Sequence, residues 1–300
     1  MPYVTAAHTG IFARHGLDVE LLEPAGGPEN VRLVADGGAD LCLTSVLHYL
    51  RARAEHGALG ARFIAMVTQR TPLAAFVVAG RPTAAGVVPE RARDLGGARI
   101  AGSPDKSALA RELVAHLREQ GAEPGELIDV PYSDGMSALA RGEVDAIADF
   151  IDLLPRMRRR VPDTTVRGLR LADDGALSYG SGLVASDRLV TDAPGVAARA
   201  IGAIREAWDA TRERPDAGIA AFRERYSDVD PMVVVECWRE TERLIYADEP
   251  GALDPARLIA TLERSAAIHA LPMPEPSSTY ALVGTGRYRG VAYRTATVPE

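Results

Sequence analysis

The sequence predicts an α/β protein of two lobes with a hinge and a central ligand cleft. Short apolar segments of strand length alternate with helical segments through the first 185 residues. These segments form two runs of similar build, separated by a proline-punctuated connection after Gly80. If the chain crosses once near residue 80 and returns near residue 181, lobe 1 consists of residues 1–79 and 182–300, and lobe 2 of residues 80–181. We expect mainly parallel sheets.

The first run begins with a helix, because residues 3–15 are helical in pattern and Gly16 ends them. Leu17, Val19 and Leu21 then alternate as in a strand. A short helix follows from Pro28. Further strands are predicted at residues 40–43, 62–68 and 73–78, with a helix after the first of them.

The second run has compact βα units, each closed by a glycine. Strands are predicted at residues 98–102, 127–130 and 144–149, and helices at 105–120 and 134–141. From residue 192 long helices take over, with Ile204 and Trp208 on one apolar stripe and Trp238 and Ile245 on another. A tail rich in Pro, Gly, Ser and Thr ends the chain, with a possible short strand near residues 280–283.

Charge argues against nucleic acid as a partner. The 300 residues carry 34 basic and 41 acidic side chains, a net charge of −7, whereas binding to phosphate backbones depends on concentrated positive charge. The one dense basic cluster, around Arg156 to Arg160, is interpreted as a solvated helix end. No apolar stretch approaches the roughly 20 residues that a membrane span needs.

Metal and cofactor motifs are not found in the sequence. Cys42 and Cys237 are too few for a disulfide framework and are not at metal-ligand spacing, so both are interpreted as small core residues. Ser181 has glycines next to it rather than two positions away, which does not fit the hydrolase nucleophile motif. We therefore expect no metal, no cofactor and no catalytic residue.

An anion site is predicted where the second run opens its first helix. Ser103, Lys106 and Ser107 follow a strand and begin this helix, where free backbone N–H groups and hydroxyls would face the cleft. The alternative is that Ser103 only caps this helix with Pro104 in its first turn, which would explain both of these residues.

Two further groups of candidate ligand contacts follow from the strand ends. In the first lobe, Thr44 and Ser45 end a strand, and His48 lies one turn into the next helix. In the second lobe the candidates are Asp149, Asp152 and Tyr179, where a carboxylate could receive an amine or a ring N–H; the alternative for Asp152 is a helix cap. Asp145 lies within a strand and is interpreted as structural.

Several segments of the sequence resemble those of a known protein family. Gly10-Ile11-Phe12, His15-Gly16-Leu17-Asp18-Val19 and Gly37-Gly38-Ala39-Asp40 resemble the opening of solute-binding proteins of the sulfonate, nitrate and taurine type, which serve ABC transporters. This superfamily is shared with the thiamine-pyrimidine (HMP-phosphate) synthases. The likeness covers roughly residues 3–245 and includes Asp94 to Ile100, Ala138 to Ala146 and Gly182 to Ser186. It implies a type II periplasmic-binding-protein fold.

The synthase branch is similar at Leu22-Glu23-Pro24 and from Leu43 to His48, and His48 matches the active-site histidine of that branch. Two departures oppose the enzyme. Thr44 stands where the synthases have their cofactor-binding lysine, and Tyr179-Gly180-Ser181-Gly182 replaces their cysteine-rich motif. Without an amine there, no Schiff base with pyridoxal phosphate can form.

The resemblance implies a binding protein that delivers a small anionic or heteroaromatic ligand, such as a sulfonate or a thiamine-pyrimidine precursor, to an ABC permease and ATPase. The alternatives are a cytosolic enzyme of the same fold and a binding module that senses a metabolite. Family members begin with a β-strand before the first helix, so we expect an upstream strand and a lost export signal here. An extracytoplasmic location follows if the signal was lost, and a cytoplasmic one if the start is genuine.

Overall fold

Two β-sheets organise the chain, for which the computed structural model describes residues 1–102, 107–227 and 229–283. The strands are β1 (Leu41–Ser45), β2 (Ala61–Met66), β3 (Leu73–Val78), β4 (Ile100–Ala101), β5 (Leu127–Ile128), β6 (Ala146–Phe150), β7 (Val166–Arg170) and β8 (Ser181–Ser186). One sheet has the order β1-β8-β2 and the other the order β5-β4-β6-β3-β7. The two sheets are the centres of the first and second lobes.

Helices cover both sheets and dominate the C-terminal third. The helices are α1 (Pro2–His8), α2 (Ile11–Arg14), α3 (Gly27–Ala35), α4 (Val46–His56), α5 (Ala108–Glu119), α6 (Gly135–Arg141), α7 (Leu154–Arg158), α8 (Asp187–Asp192), α9 (Pro194–Glu213), α10 (Pro215–Arg225), α11 (Pro231–Ile245) and α12 (Pro255–His269). Single 3-10 turns lie at Ala92–Leu95, Ile151–Leu153, Leu171–Asp174 and Pro276–Ser278. None of the helices within the described ranges is long and apolar enough to cross a membrane.

Most strand pairs are antiparallel, so the expectation of mainly parallel sheets is wrong. β8 runs antiparallel to both β1 and β2, and β3 runs antiparallel to both β6 and β7, whereas β4 is parallel to β5 and β6. The cause is the chain crossing. β3 and β8 are the first strands after each crossing, so they start at the interlobe edge where β1, β2 and β6 end.

The chain crosses to the second lobe before β3. The predicted boundary at residue 79 assigns residues 73–78 to the first lobe, whereas the structure pairs this strand between β6 and β7. Its residues Leu73 to Val77 are all buried, which requires a central position in a sheet covered on both faces. The return crossing lies just before β8, close to the predicted boundary at residues 181–182. β7 is an additional strand that the sequence pattern did not predict.

The N-terminal segment differs from its prediction in two respects. The helix expected over residues 3–15 is divided into α1 and α2, because Gly10 adopts a left-handed conformation with φ of 69°. The strand expected at Leu17–Leu21 is not formed, since these residues have no regular secondary structure in the described part of the chain. A segment becomes a strand only through pairing with a neighbour.

Each lobe has its own apolar core. Ile201, Ile204 and Trp208 from the predicted stripe of α9 pack with Ile64 and Leu183 of the three-stranded sheet. In the second lobe, the five-stranded sheet packs against α5 on one face and α6 on the other. Leu244 of α11 is buried in this second core, and Arg170 and Glu240 form an ion pair between β7 and α11. α11 therefore joins the C-terminal helices to the second lobe.

Candidate functional site

A cleft of about 660 Å³ lies between the lobes. The ends of β1 and β2 and the start of β8 contribute its first-lobe wall, and the segment after β6 together with α5 contributes its second-lobe wall. Ligands of open α/β sheets bind outside the carboxyl ends of strands, which is where this cleft lies.

Ser45 and His48 both line the cleft, on the first-lobe wall. Ser45 is the N-cap of α4, since its hydroxyl accepts a hydrogen bond from the backbone N–H of His48 (3.2 Å). Burial and the nearby Arg51 lower the pKa of His48, so its imidazole is neutral at pH 7 and can donate or accept a hydrogen bond. A β-carbon on Gly27 would come within 2.7 Å of this ring, so glycine leaves the space that the imidazole occupies.

Thr44 does not line the cleft, contrary to the prediction. Its side chain is 5% exposed, because alternate residues of a strand point to opposite faces and Ser45 takes the cleft side. The Thr44 hydroxyl has no hydrogen-bond partner among the described residues.

The Tyr179-Gly180-Ser181-Gly182 segment forms the return crossing, and its glycines are required by close packing. A β-carbon on Gly180 would lie 2.3 Å from Thr68 Oγ1, and one on Gly182 would lie 2.7 Å from the Ala65 carbonyl oxygen. Thr68 Oγ1 accepts a hydrogen bond from the backbone N–H of Ser181 (2.6 Å), and both side chains line the cleft. The segment thus holds two hydroxyls at the hinge.

Tyr179 also lines the cleft, but its polar groups are bound to α12. Its hydroxyl accepts a hydrogen bond from the backbone N–H of Asp254 (3.1 Å), and its own N–H donates to Thr261 Oγ1 (3.2 Å). The Arg257 guanidinium lies 4.0 Å from the centre of its ring. Tyr179 therefore attaches α12 to the crossing and presents mainly its ring to the cleft.

Asp152 and Asp149 lie on the second-lobe side, and only Asp152 lines the cleft. Burial raises the pKa of Asp152, and the neighbouring carboxylates of Asp149 and Glu240 raise it further. Asp149 is 1% exposed, and its carboxylate accepts hydrogen bonds from the Tyr132 hydroxyl (2.9 Å) and the backbone N–H of Phe150 (2.8 Å). Asp149 therefore lies outside the cleft lining with its carboxylate bound to these two partners, and its contact with a ligand stays a prediction.

Of the predicted anion segment, only Ser107 belongs to the described residues. Ser103 and Lys106 lie outside the described residues. Ser107 caps α5 by accepting a hydrogen bond from the backbone N–H of Ala110 (3.2 Å), and it does not line the cleft. Capping accounts for this serine, whereas Ala108 and Leu109 beside it do contact the cleft.

Replacing Asp152 with asparagine is expected to stabilise the ligand-free protein at neutral pH. A carboxyl group whose folded pKa is raised favours folding below its ordinary pKa and opposes it as the pH rises through the folded value. The gain for Asp152→Asn in the free energy of unfolding should therefore be present at pH 8 and absent near pH 3, measured by urea denaturation. The exposed Asp163→Asn is the matched control, and an equal gain at both pH values would contradict the assignment.

The far end of the cleft is apolar and aromatic. Tyr3, Trp208, Phe222, Val234 and Trp238 line it, from α1, α9, α10 and α11. The Trp208 indole N–H is buried close to the Tyr3 hydroxyl. The cleft can therefore take an organic body, not only a small ion.

Two arginines of the cleft were not predicted as site residues. Arg51 lies one turn after His48 on α4, and Arg156 lies on α7; both line the cleft. Neither forms an ion pair with any residue that the structure describes. The i, i+3 spacing from His48 could have identified Arg51. Arg156 was interpreted as part of a solvated cluster, and sequence could not show that the first turn of α7 faces the other lobe.

Thiols and metal ligands in the described part of the chain do not form a reactive centre. No group of three His, Cys, Asp or Glu side chains within it could hold a metal ion. Cys237 lines the cleft rather than a core, and burial together with the charge of Asp152 raises its pKa, which keeps it a thiol. Burial raises the pKa of Cys42 to about 12.

Solved structures share this architecture. The periplasmic aliphatic sulphonate-binding protein SsuA from Escherichia coli superimposes with a TM-score of 0.72 at 17% identity, over 100% of this chain and 93% of that chain. The alkanesulfonate-binding protein SsuA from Xanthomonas axonopodis pv. citri, bound to MOPS, gives 0.61 at 19% identity, over 93% of each chain. A mutant of the desulfurization enzyme DszB in complex with biphenyl-2-sulfinic acid gives 0.59 at 16% identity, over 93% and 92%.

Two lobes, two crossings and an interlobe cleft define a periplasmic-binding-protein fold of the α/β class. The chain belongs to the NMT1/THI5-like family, which matches residues 1–218. No curated protein matches the sequence.

Proposed function

We propose that this protein is a solute-binding protein that captures a small anionic organic ligand of the sulfonate or thiamine-pyrimidine-precursor type for an ABC importer. The main support for this proposal is that Arg51 and Arg156 line the same cleft from opposite lobes. Neither has an ion-pair partner among the described residues. A guanidinium donates several hydrogen bonds in a fixed planar geometry that suits oxyanions. An anion between the lobes would therefore attract both walls and favour closure.

The remaining lining fits the organic part of such a ligand. Ser45, Thr68 and Ser181 supply hydroxyls near the crossing, and neutral His48 can donate to or accept from a ring nitrogen. The aromatic end around Trp208 and Trp238 suits an apolar or heteroaromatic body. Delivery to a permease and ATPase would place the protein outside the cytoplasmic membrane, as for the periplasmic E. coli relative.

An enzyme of the same fold is the second candidate, because the desulfurization enzyme DszB shares the architecture. The chemistry of this cleft favours binding. The single lysine of the chain, Lys106, lies outside the described residues, and Thr44 replaces the synthase lysine, so no lysine among the described cleft residues offers an amine for a Schiff base. Cys237, the thiol at the cleft, has a raised pKa and is a poor nucleophile.

Ligand screening separates the two functions. Purified protein is incubated with MOPS, short alkanesulfonates and aminopyrimidines, and the melting temperature and the mass of each ligand are followed. A binding protein should show saturable stabilisation, about 2.7 kcal/mol at a ligand concentration 100 times Kd, with unchanged ligand. A new product in the mass spectrum would establish the enzyme, and no stabilisation by any compound would contradict the proposed ligand class.

A further inference from the structure

A cluster of charged side chains joins the two lobes away from the crossings. Glu112 and Glu119 belong to α5 of the second lobe, and Arg264, Ser265 and His269 belong to α12, which packs on the first lobe. We name these five residues the interlobe cluster. Glu112, Arg264 and Ser265 also line the cleft, so the cluster lies at its boundary.

Glu112 is the centre of the interlobe cluster. One carboxylate oxygen is 2.7 Å from Arg264 Nη1, and the other is 3.0 Å from His269 Nε2. Arg264 also donates to both carboxylate oxygens of Glu119, at 2.8 and 3.2 Å. The arginine therefore bridges two turns of α5 and is held in one orientation.

The contacts between Glu112 and α12 are largely buried. The Glu112 side chain is 16% exposed and that of His269 is 2% exposed. Burial alone would raise the pKa of Glu112, but the hydrogen bond from His269 and the charge of Arg264 outweigh it, and the pKa is lowered. Separation of the lobes would break these contacts between α5 and α12, so they favour the arrangement in which the lobes meet.

The interlobe cluster lies further along α12 than the residue that contacts the crossing. Thr261 of α12 holds the crossing through its contact with the Tyr179 N–H, and Arg264 and His269 follow it on the same helix. At 1.5 Å per residue, they lie roughly 5 and 12 Å further along the helix axis. The interlobe cluster therefore lies further from the crossing than Thr261 does on the same helix.

We propose that the interlobe cluster, centred on Glu112, holds the lobes closed and sets the rate at which the ligand leaves. The effect on closure follows from the cluster alone, and the effect on ligand release rests on the proposed function. Glu112 would thus control how fast the ligand enters and leaves, although it is not part of the proposed anion site formed by Arg51 and Arg156.

The test compares Glu112→Gln with Glu263→Gln. Glu263 is exposed on α12 next to Arg264, so both substitutions remove one negative charge, but only the first removes the centre of the cluster. Small-angle X-ray scattering of the ligand-free protein should give a larger radius of gyration for Glu112→Gln and an unchanged one for Glu263→Gln. The dissociation rate of MOPS, measured by stopped flow, should rise about tenfold for Glu112→Gln, since breaking one buried pair destabilises only the closed state.

The two measurements separate the two proposals. If wild-type protein binds no MOPS, the ligand proposal loses support, and scattering still tests closure. If Glu112→Gln has the same radius of gyration and the same MOPS release rate as the wild type, the proposed role of the cluster is overturned. The proposed binding function is not affected by that result. Should Glu112→Gln fail to fold, His269→Gln removes one contact to the same carboxylate and must show the same direction of change in both measurements.

Discussion

Replacement of Asp145 by alanine is expected to lower the free energy of unfolding by about 3 kcal/mol. Asp145 precedes β6, and its side chain is 3% exposed. It accepts hydrogen bonds from the backbone N–H groups of Ala84 (3.0 Å) and Arg99 (2.8 Å) and from the Arg99 guanidinium (2.8 Å). Alanine would leave two backbone donors without an acceptor and would separate the connection after β3 from the start of β4. Urea denaturation of the two proteins measures the loss.

The stability difference between wild type and Asp145→Ala should depend on pH in a defined direction. Burial opposes ionisation of Asp145, but the hydrogen bonds from Arg99 and Ala84 outweigh it and lower the pKa. A lowered carboxyl pKa contributes stability above the unfolded pKa of about 3.9, and the contribution disappears as the pH falls through the folded value. The difference between wild type and Asp145→Ala should be full at pH 7 and should shrink below pH ~4. This is opposite in sign to Asp152→Asn.

Glu143→Ala is the matched control for Asp145→Ala. Glu143 lies two residues earlier and also pairs with an arginine, Arg141, but both side chains are more than half exposed. An exposed pair contributes about 0 to 1 kcal/mol. Equal losses for the two variants would show that the buried acceptor role of Asp145 is not what stabilises the protein.

Local patterns predicted much of the fold. The strand at residues 73–78 has the predicted bounds, and the stripe containing Ile204 and Trp208 packs as its helical spacing indicated. Strand direction could not be predicted in the same way. The apolar pattern of β3 is the same whether its neighbours run parallel or antiparallel, and only the position of the crossing decides between them.

For the cleft as well, the sequence predicted the residues that are placed by local structure and missed the contacts between residues far apart in the chain. Ser45 and His48 line the cleft because a strand end and the next helix turn fix where they lie. Asp149 has the same kind of sequence position, but Tyr132, 17 residues earlier, occupies its carboxylate. The pair of Glu112 and Arg264 is 152 residues apart, and no local pattern relates them. Hydrogen bonds across the cleft depend on how the lobes meet, which a single sequence does not encode locally.

The double substitution Arg51→Gln with Arg156→Gln is expected to abolish measurable binding of a sulfonate such as MOPS. Hydrogen bonds to charged groups contribute about 1.5–3 kcal/mol each, so each single variant should raise Kd roughly 10- to 100-fold. Glutamine keeps a hydrogen-bond donor and much of the side-chain volume but removes the charge. Isothermal titration calorimetry at two ionic strengths measures the change, and screening should weaken wild-type binding at the higher one.

Arg199→Gln is the control for the arginine pair, because Arg199 is exposed on α9 and does not line the cleft. It changes the net charge by the same amount as either single variant, so it should leave Kd unchanged if local contact and not the general field binds the anion. Arg51 lies in the first lobe and Arg156 in the second, so an anion that contacts both must lie between them. If only Arg51→Gln weakens binding, the ligand contacts one wall, and anion bridging cannot be the cause of lobe closure.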